Sequence, residues 1–343
     1  MAVYNIVFQS NSIDGWFSAF LAGQLASKTD TDLVYFHPID ARNPDTWPNP
    51  EKLAPVSVAK KSASLTRHDI HADKAFCFFI DCTPNINGNI CSEYFVDLRK
   101  DFNLLLIDNN PIAQKISNGD PMLVAHDPEK TTINLVWSHF GYDIDLVPEW
   151  VSQINRIELM QMKDNDSAVR ENLLEICRLP TIGRIEEAIY KSTEYLATFD
   201  DEAKMEAFVA KGKEKLKIKI AGFAPILAKT NIKTLTVYDC GNWGFPLAWA
   251  GKTIIYVNTT GYAPDSSELA TCAFDKFSAD KPDCFINFRM RIHPGGEIYY
   301  VYSARVSGSS DFNLIESGSP FKGFEKSAGA VISILEFCIP FVK

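Results

Sequence analysis

Three aspartates each stand at the end of an apolar run. Asp14 lies in the turn after Ile6-Val7-Phe8, Asp81 directly follows Phe76-Cys77-Phe78-Phe79-Ile80, and Asp108 directly follows Leu104-Leu105-Leu106-Ile107. Short uninterrupted apolar runs of this kind read as buried strands. In an open α/β sheet, ligands bind outside the carboxyl ends of the strands. Carboxylates delivered there from neighbouring strands can converge to hold a hard divalent cation. Any one of these aspartates also suits a turn or a helix cap. Three of them, after three successive apolar strands, favour a shared site.

The elements that must position them follow from periodicity. After the first strand, Phe17, Phe20, Leu21 and Leu25 fall on one helical face, which completes a strand, acidic turn and helix. Asp32-Leu33-Val34-Tyr35-Phe36 reads as a second strand, and the Pro- and Lys-rich stretch from Pro38 to about Lys61 as surface loop. Strands alternating with helices predict a parallel sheet with right-handed crossovers. From Thr131 the pattern is helical, with Ile133, Val136, Trp137 and Phe140 on one face, and a further helix is expected from Trp150 to Met162. Residues 164–219 are Glu- and Lys-rich with helical spacing and read as a connection between domains. Beyond Ala221 come short strands at Leu235–Tyr238, Thr253–Val257, Cys284–Phe288 and Ile298–Tyr302, the last two joined by a Pro294-Gly295-Gly296 turn. The expected fold class is α/β: an N-terminal parallel-sheet domain over 1–165, a helical connector over 166–225, and a smaller mixed α/β domain over 226–343.

At 343 residues the chain exceeds one typical core, so two domains are the default. A net charge of -9 argues against broad wrapping of nucleic acid, though a local basic groove is compatible with it. No stretch reaches the roughly 18 apolar residues of a membrane helix, and the first residues carry no basic leader pattern. Eight cysteines without paired spacing, most of them in apolar runs, suit reduced core thiols. These features set the expectation of an intracellular, cytoplasmic protein with no membrane partner.

Short motifs extend the pattern along nearly the whole chain. Gln9-Ser10-Asn11-Ser12-Ile13-Asp14-Gly15 resembles the turn H-x-x-C-x-D-G that opens the DHH phosphoesterase superfamily, with Gln9 in the histidine slot and Ser12 in the cysteine slot. Asp81 matches the family's strand-ending aspartate, and Asp108-Asn109-Asn110 occupies the Asp-His-His position. Pro148-Glu149-Trp150-Val151 followed by Arg156-Ile157-Glu158-Leu159-Met160 is similar to a P-x-h-V stretch and the helical D-R-D-L-W, with Arg156 in the first acidic slot and Glu158 in the second. In the second half, Ser266-Ser267-Glu268-Leu269 resembles the S-S-E-L of the family's associated C-terminal domain. Tyr302-Ser303-Ala304-Arg305 resembles its S-L-R-S strand, and Lys322–Gly329 stands in the place of its phosphate-cradling G-G-H-x-x-A-A-G loop, with Phe324 in the histidine slot.

The resemblance implies a DHH-like first domain and an associated second one. Active members are two-metal phosphoesterases that use Mn²⁺ or Mg²⁺ to activate water and clamp phosphoryl oxygens. Carboxamides are weaker ligands than imidazoles for such ions, so Gln9, Asn109 and Asn110 imply an impaired site. The expectation is no metal cofactor, or Mg²⁺ or Mn²⁺ held weakly by Asp14, Asp81 and Asp108 as vestigial or residual catalytic groups. Arg156 is expected to supply positive charge between Asp14 and Asp81 in the metal's stead, with a plain surface arginine as the alternative. Arg305, Lys322, Gly323, Asn109 and Asn110 are the expected substrate contacts, Lys326 adding charge beside them.

The expected function is that of a degenerate phosphoesterase homologue. It would bind a phosphate-bearing ligand, such as a nucleotide or oligonucleotide, or act as an interaction or structural protein, with room for a protein partner or a homo-oligomer. The alternative is an active Mg²⁺- or Mn²⁺-dependent phosphoesterase acting on short oligonucleotides, nucleotides or cyclic dinucleotides. The remaining motifs favour bland readings. Arg67-His68-Asp69-Ile70-His71-Ala72-Asp73 reads as a solvated loop and the lysine run 211–219 as a solvated helix face. His37, His126, His139 and His293 form no Ser/His/Asp signature.

Overall fold

A computed structural model describes residues 2–27, 32–41, 43–49, 53, 75–86, 89–117, 123–127, 129–140, 146–159, 161–163, 165–243, 245, 247–260, 266–292, 298–307, 310–314, 322–324 and 327–333. Arg67–Asp73, the Pro294-Gly295-Gly296 turn, Lys326, Cys338 and most of the loop after Asn49 lie outside them. The chain divides into two units, Met1–Leu216 and Lys217–Lys343.

The first unit runs β1 (Val3–Gln9), α1 (Ile13–Ala26), β2 (Leu33–Ile39), β3 (Ala75–Ile80), a small hairpin of β4 (Asn85–Ile86) and β5 (Asn89–Ile90), α2 (Ser92–Leu98), β6 (Phe102–Ile107), α3 (Pro111–Ser117) and β7 (Leu123–Ala125). It continues with α4 (Thr132–His139), α5 (Glu149–Glu158), α6 (Asp166–Arg178), α7 (Ile185–Leu196) and α8 (Glu202–Gly222), inside which the boundary falls. Its sheet has the order β2-β1-β3-β6-β7, and each neighbouring pair is parallel. This is a doubly wound order whose switch point lies between β1 and β3, where a ligand crevice forms.

Period-two alternation sends the strand residues to two cores. Tyr4, Ile6, Phe8, Phe78, Ile80, Leu105 and Ile107 face α1 and α4–α7. Val7, Cys77, Phe79 and Leu106 face α2 and α3 through Phe95, Leu98, Ala113 and Ile116. With both faces covered, these strands are apolar throughout. Helix α1 is buried nearly all round, so its apolar residues exceed a single stripe.

The second unit comprises α9 (Ala224–Leu227), β8 (Asn231–Thr234), α10 (Val237–Trp243), β9 (Thr253–Asn258), α11 (Ser266–Lys276), β10 (Cys284–Ile292), β11 (Ile298–Val306), β12 (Lys322–Phe324) and β13 (Ser327–Ser333). Its mixed sheet is ordered β12-β13-β11-β10-β9-β8, parallel only between β9 and β10.

Three expectations are corrected. Residues 166–216 are not a connector: Ala168, Val169, Leu173, Ile176, Cys177, Ala188, Tyr195 and Val209 belong to the core of the first unit. Leu235–Tyr238 is not a strand, because Thr236 and Asp239 start α10. The Thr236 hydroxyl accepts the Asp239 N–H at 3.1 Å, and Asp239 accepts the Thr236 N–H at 2.9 Å. This reciprocal capping outweighs the β-propensity of the segment. Finally, α5 ends at Glu158 rather than Met162.

Candidate functional site

The loops after β1, β3 and β6 meet at the carboxyl edge of the first sheet. Ser12 caps α1: its hydroxyl accepts the Gly15 N–H at 3.0 Å and donates to Asp81 Oδ2 at 3.0 Å. Gly15 is required by close approach, since a Cβ there would stand 2.5 Å from the Gln9 carbonyl oxygen and 3.1 Å from Asp81 Oδ2. Asp81 follows β3 in the left-handed region, with φ of 55°, a conformation that costs energy in a residue other than glycine.

Each aspartate is held by hydrogen bonds from within the unit. Asp14 Oδ2 accepts the Thr132 N–H at 2.8 Å, while Oδ1 accepts the Ile133 N–H at 2.8 Å and the Ser18 hydroxyl at 2.9 Å. The two N–H groups belong to the first turn of α4, where backbone donors lack intrahelical partners. Thr131, which precedes the helix, makes no capping bond and gives its hydroxyl to Asn155 Oδ1 at 2.7 Å. Asp81 Oδ1 accepts the Thr132 hydroxyl at 3.1 Å. Asp108 accepts the Thr83 hydroxyl at 2.6 Å and the Asn110 N–H at 2.8 Å.

The carboxyls feel one another. Burial raises Asp14 above the ordinary carboxylate range, against the lowering effect of the Thr132 N–H. Burial first, and then the charges of Asp14 and Asp108, raise Asp81 well above it. Burial raises Asp108 as well, against the Thr83 hydroxyl. A fourth carboxyl joins them from α5: burial and then Asp14 push Glu158 up to about 7, with Arg170 of α6 and the Asp14 N–H opposing.

A cavity of about 400 Å³ opens beside this cluster. Asp81 and Asp108 line it together with Asp40, Thr83 and the carboxamides Gln9, Asn85, Asn109 and Asn110; its described lining contains no lysine, arginine or histidine. Asp14 is not among the lining residues. The carboxamides are largely engaged locally. Gln9 Oε1 accepts the Ala41 N–H at 3.1 Å, Asn109 Nδ2 donates to the Lys130 carbonyl at 3.0 Å, and Asn110 Oδ1 accepts the Ile112 N–H at 3.0 Å.

Arg156 is not between Asp14 and Asp81. Its guanidinium pairs with Asp166 at 3.2 Å and Glu149 at 3.1 Å. Buried Asp166, which also accepts from Gln153 Nε2 at 2.8 Å, draws it to that side of α5. The expected metal-substituting role is therefore overturned. Of the paired acidic slots, only Glu158 reaches the cluster. Arg170, which sequence reasoning passed over, is the cation that acts on Glu158; no motif marks it, and only the packing of α5 on α6 brings it there.

In the second unit, Arg305 donates to the Ser303 hydroxyl at 3.2 Å and to the Ala304 carbonyl at 2.9 Å. Within the segment expected to form a phosphate-cradling loop, the described residues are paired strands: Lys322 opposes Gly329 and Gly323 opposes Ala328. Their backbone is laid out for a sheet ladder.

The Mn²⁺ or Mg²⁺ pair implied by the resemblance does not fit the donor set. Both oxygens of Asp14, of Asp81 and of Asp108 already accept hydrogen bonds, and carboxamides stand where the resemblance implies three histidines. Among the described residues, no group of three or more His, Cys, Asp or Glu side chains is disposed to hold a metal ion.

No family model and no curated protein matches the chain. Among solved structures, an uncharacterized protein from Helicobacter pylori G27 is similar at 12% identity, covering 99% of this chain and 96% of that one, with a TM-score of 0.33. Likeness at that level carries no functional argument. The fold itself is α/β in two units, and no helix among the described residues is long and apolar enough to cross a membrane.

Proposed function

We propose that the chain is a degenerate relative of the DHH phosphoesterases that does not hydrolyse phosphoesters. It serves as a binding or interaction protein, with Arg305 as its phosphate contact. One observation carries this reading. Asp14, Asp81 and Asp108 follow β1, β3 and β6, three successive parallel strands of the sheet, and act on one another electrostatically, while Gln9, Asn109 and Asn110 stand in the slots of the family's ligating histidines. The frame of a two-metal site is kept and its nitrogen donors are gone.

The first unit's cavity is a poor phosphate site. Phosphate recognition draws on cations and convergent N–H donors, whereas the described lining offers carboxylates and carboxamides. Phosphate recognition is accordingly assigned to Arg305 in the second unit. Isothermal titration of the full chain with a nucleoside monophosphate and a short oligonucleotide tests the assignment. Binding that weakens at least about tenfold in Arg305→Ala is expected, the loss of one charge-assisted contact. Binding of neither ligand by the wild type, or equal binding by the variant, would remove the phosphate role and leave interaction alone.

A further inference from the structure

We infer that the first unit has replaced a metal centre by an internal hydrogen-bonded shell, made of the N-terminus of α4 and the hydroxyls of Ser12, Ser18, Thr83 and Thr132. The inference rests on the family reading above, because only that reading says a metal once stood there. Its substance is the disagreement between the implied metal pair and the donors that surround the carboxylates.

Buried carboxylates need compensation. In a two-metal site the ions would supply it, and here hydrogen-bond donors offset part of the cost for each carboxyl. Asp14 receives two backbone N–H groups from α4 at 2.8 Å and one hydroxyl from Ser18 at 2.9 Å. The N–H groups lie at the positive end of the helix, which favours a carboxylate. Thr132 serves two acids at once, its N–H bonding Asp14 and its hydroxyl bonding Asp81 at 3.1 Å. Ser12 holds the other oxygen of Asp81 at 3.0 Å, and Thr83 holds Asp108 at 2.6 Å. The Ser12 hydroxyl also accepts the Gly15 N–H, which fixes it within the turn. In this arrangement Asp14 ties the β1–α1 turn to α4 as a helix cap supplied from a distant part of the chain.

A cap and a metal ligand respond oppositely to neutralisation. Removing one carboxylate from a metal-free cluster of ligands relieves repulsion and stabilises it, whereas removing a cap leaves helix N–H groups without an acceptor. Thermal unfolding of the full chain reads the difference, with EDTA, with Mn²⁺ alone and with Mg²⁺ alone. The wild-type Tm is expected to be the same in all three conditions. In EDTA, Asp14→Ala should lower Tm by about 2–4 °C, the shift that follows from losing a cap worth about 1 kcal/mol. Thr132→Val, which spares the backbone bond, should also lower Tm, and serves if Asp14→Ala does not fold. A Tm raised by Mn²⁺ in the wild type but not in Asp14→Ala would overturn the inference, as would a higher Tm for Asp14→Ala in EDTA. A phosphodiester hydrolysis assay on the same samples keeps the two readings apart. Metal stabilisation without turnover sinks the shell alone, and metal-dependent turnover sinks the family reading as well.

Discussion

Asp14 accepts the backbone N–H of Thr132 at 2.8 Å, across 118 residues of chain. That bond joins the first helix of the fold to the start of α4, and α1 and α4 are neighbours in the core through Trp16, Phe17, Ile133 and Val136. A polar residue read as catalytic thus has a structural task, with both of its carboxyl oxygens accepting hydrogen bonds.

The exchange of amide hydrogens reports this bond. The N–H groups of Thr132 and Ile133 are expected to exchange slowly in the wild type. In Asp14→Ala they should lose protection by about tenfold or more, because first-turn donors have no intrahelical acceptor. Unchanged protection in the variant would show that Asp14 is not the cap.

Arg156 gives a prediction about stability with no bearing on chemistry. It pairs with buried Asp166 in a network that continues through Gln153 to the Tyr195 hydroxyl, which donates to Gln153 Oε1 at 2.8 Å. Arg156→Ala should cost about 1–3 kcal/mol in urea unfolding, since it leaves a buried carboxylate undercompensated. Arg156→Lys should recover part of the loss. No measurable destabilisation by Arg156→Ala would contradict this placement.

Glu158 sets a pH dependence. Its carboxyl moves from its ordinary 4.5 to about 7, through burial first and Asp14 second. The folded state therefore holds this proton to higher pH than the unfolded chain. The stability it contributes is full below about 4.5 and is lost as pH rises through 7. Glu175 runs the other way: bonded by Lys215, it falls to about 2, so its contribution is present above 4.5 and lost as pH falls toward 2. Urea midpoints taken at about pH 5 and about pH 7.5, either side of that transition, should fall less steeply with pH in Glu158→Gln than in the wild type. Equal slopes would show that Glu158 titrates normally.

Gly15 tests how tightly the turn is drawn. A methyl group there meets the Gln9 carbonyl oxygen, which belongs to the backbone and cannot swing aside. Gly15→Ala should destabilise by about 1–3 kcal/mol, the usual range for overpacking, and a urea midpoint equal to the wild type would show that the turn has room to relax.

Much of the first unit was legible because its strands are buried on both faces. The runs at Phe76–Ile80 and Leu104–Ile107 carry no helical period, and both lie within observed strands. Sequence also places Asp81 and Asp108 at strand ends, since a carboxylate directly after such a run is conspicuous. What it missed depends on partners far along the chain. Nothing local to Asp14 announces α4, although Thr131 and Thr132 before an amphipathic stretch mark where a helix begins. Arg156 was misplaced for a similar reason: two residues on α5 turn a side chain by about 200°, enough to separate Arg156 from Glu158. The helices at 166–216 looked like a connector because their charged faces dominate the composition, while Leu173, Ile176 and Tyr195 pack inward. At Leu235–Tyr238 β-propensity misled, because one capping pair decided the local structure.

Turnover is the sharpest test of a phosphoesterase frame that has lost its catalysis. The measurement is hydrolysis of a generic phosphodiester by the wild type and by Asp81→Ala, each in Mn²⁺ and in Mg²⁺. Neither metal is expected to raise the wild-type rate above that of Asp81→Ala. Metal-dependent turnover in the wild type that disappears in Asp81→Ala would contradict it.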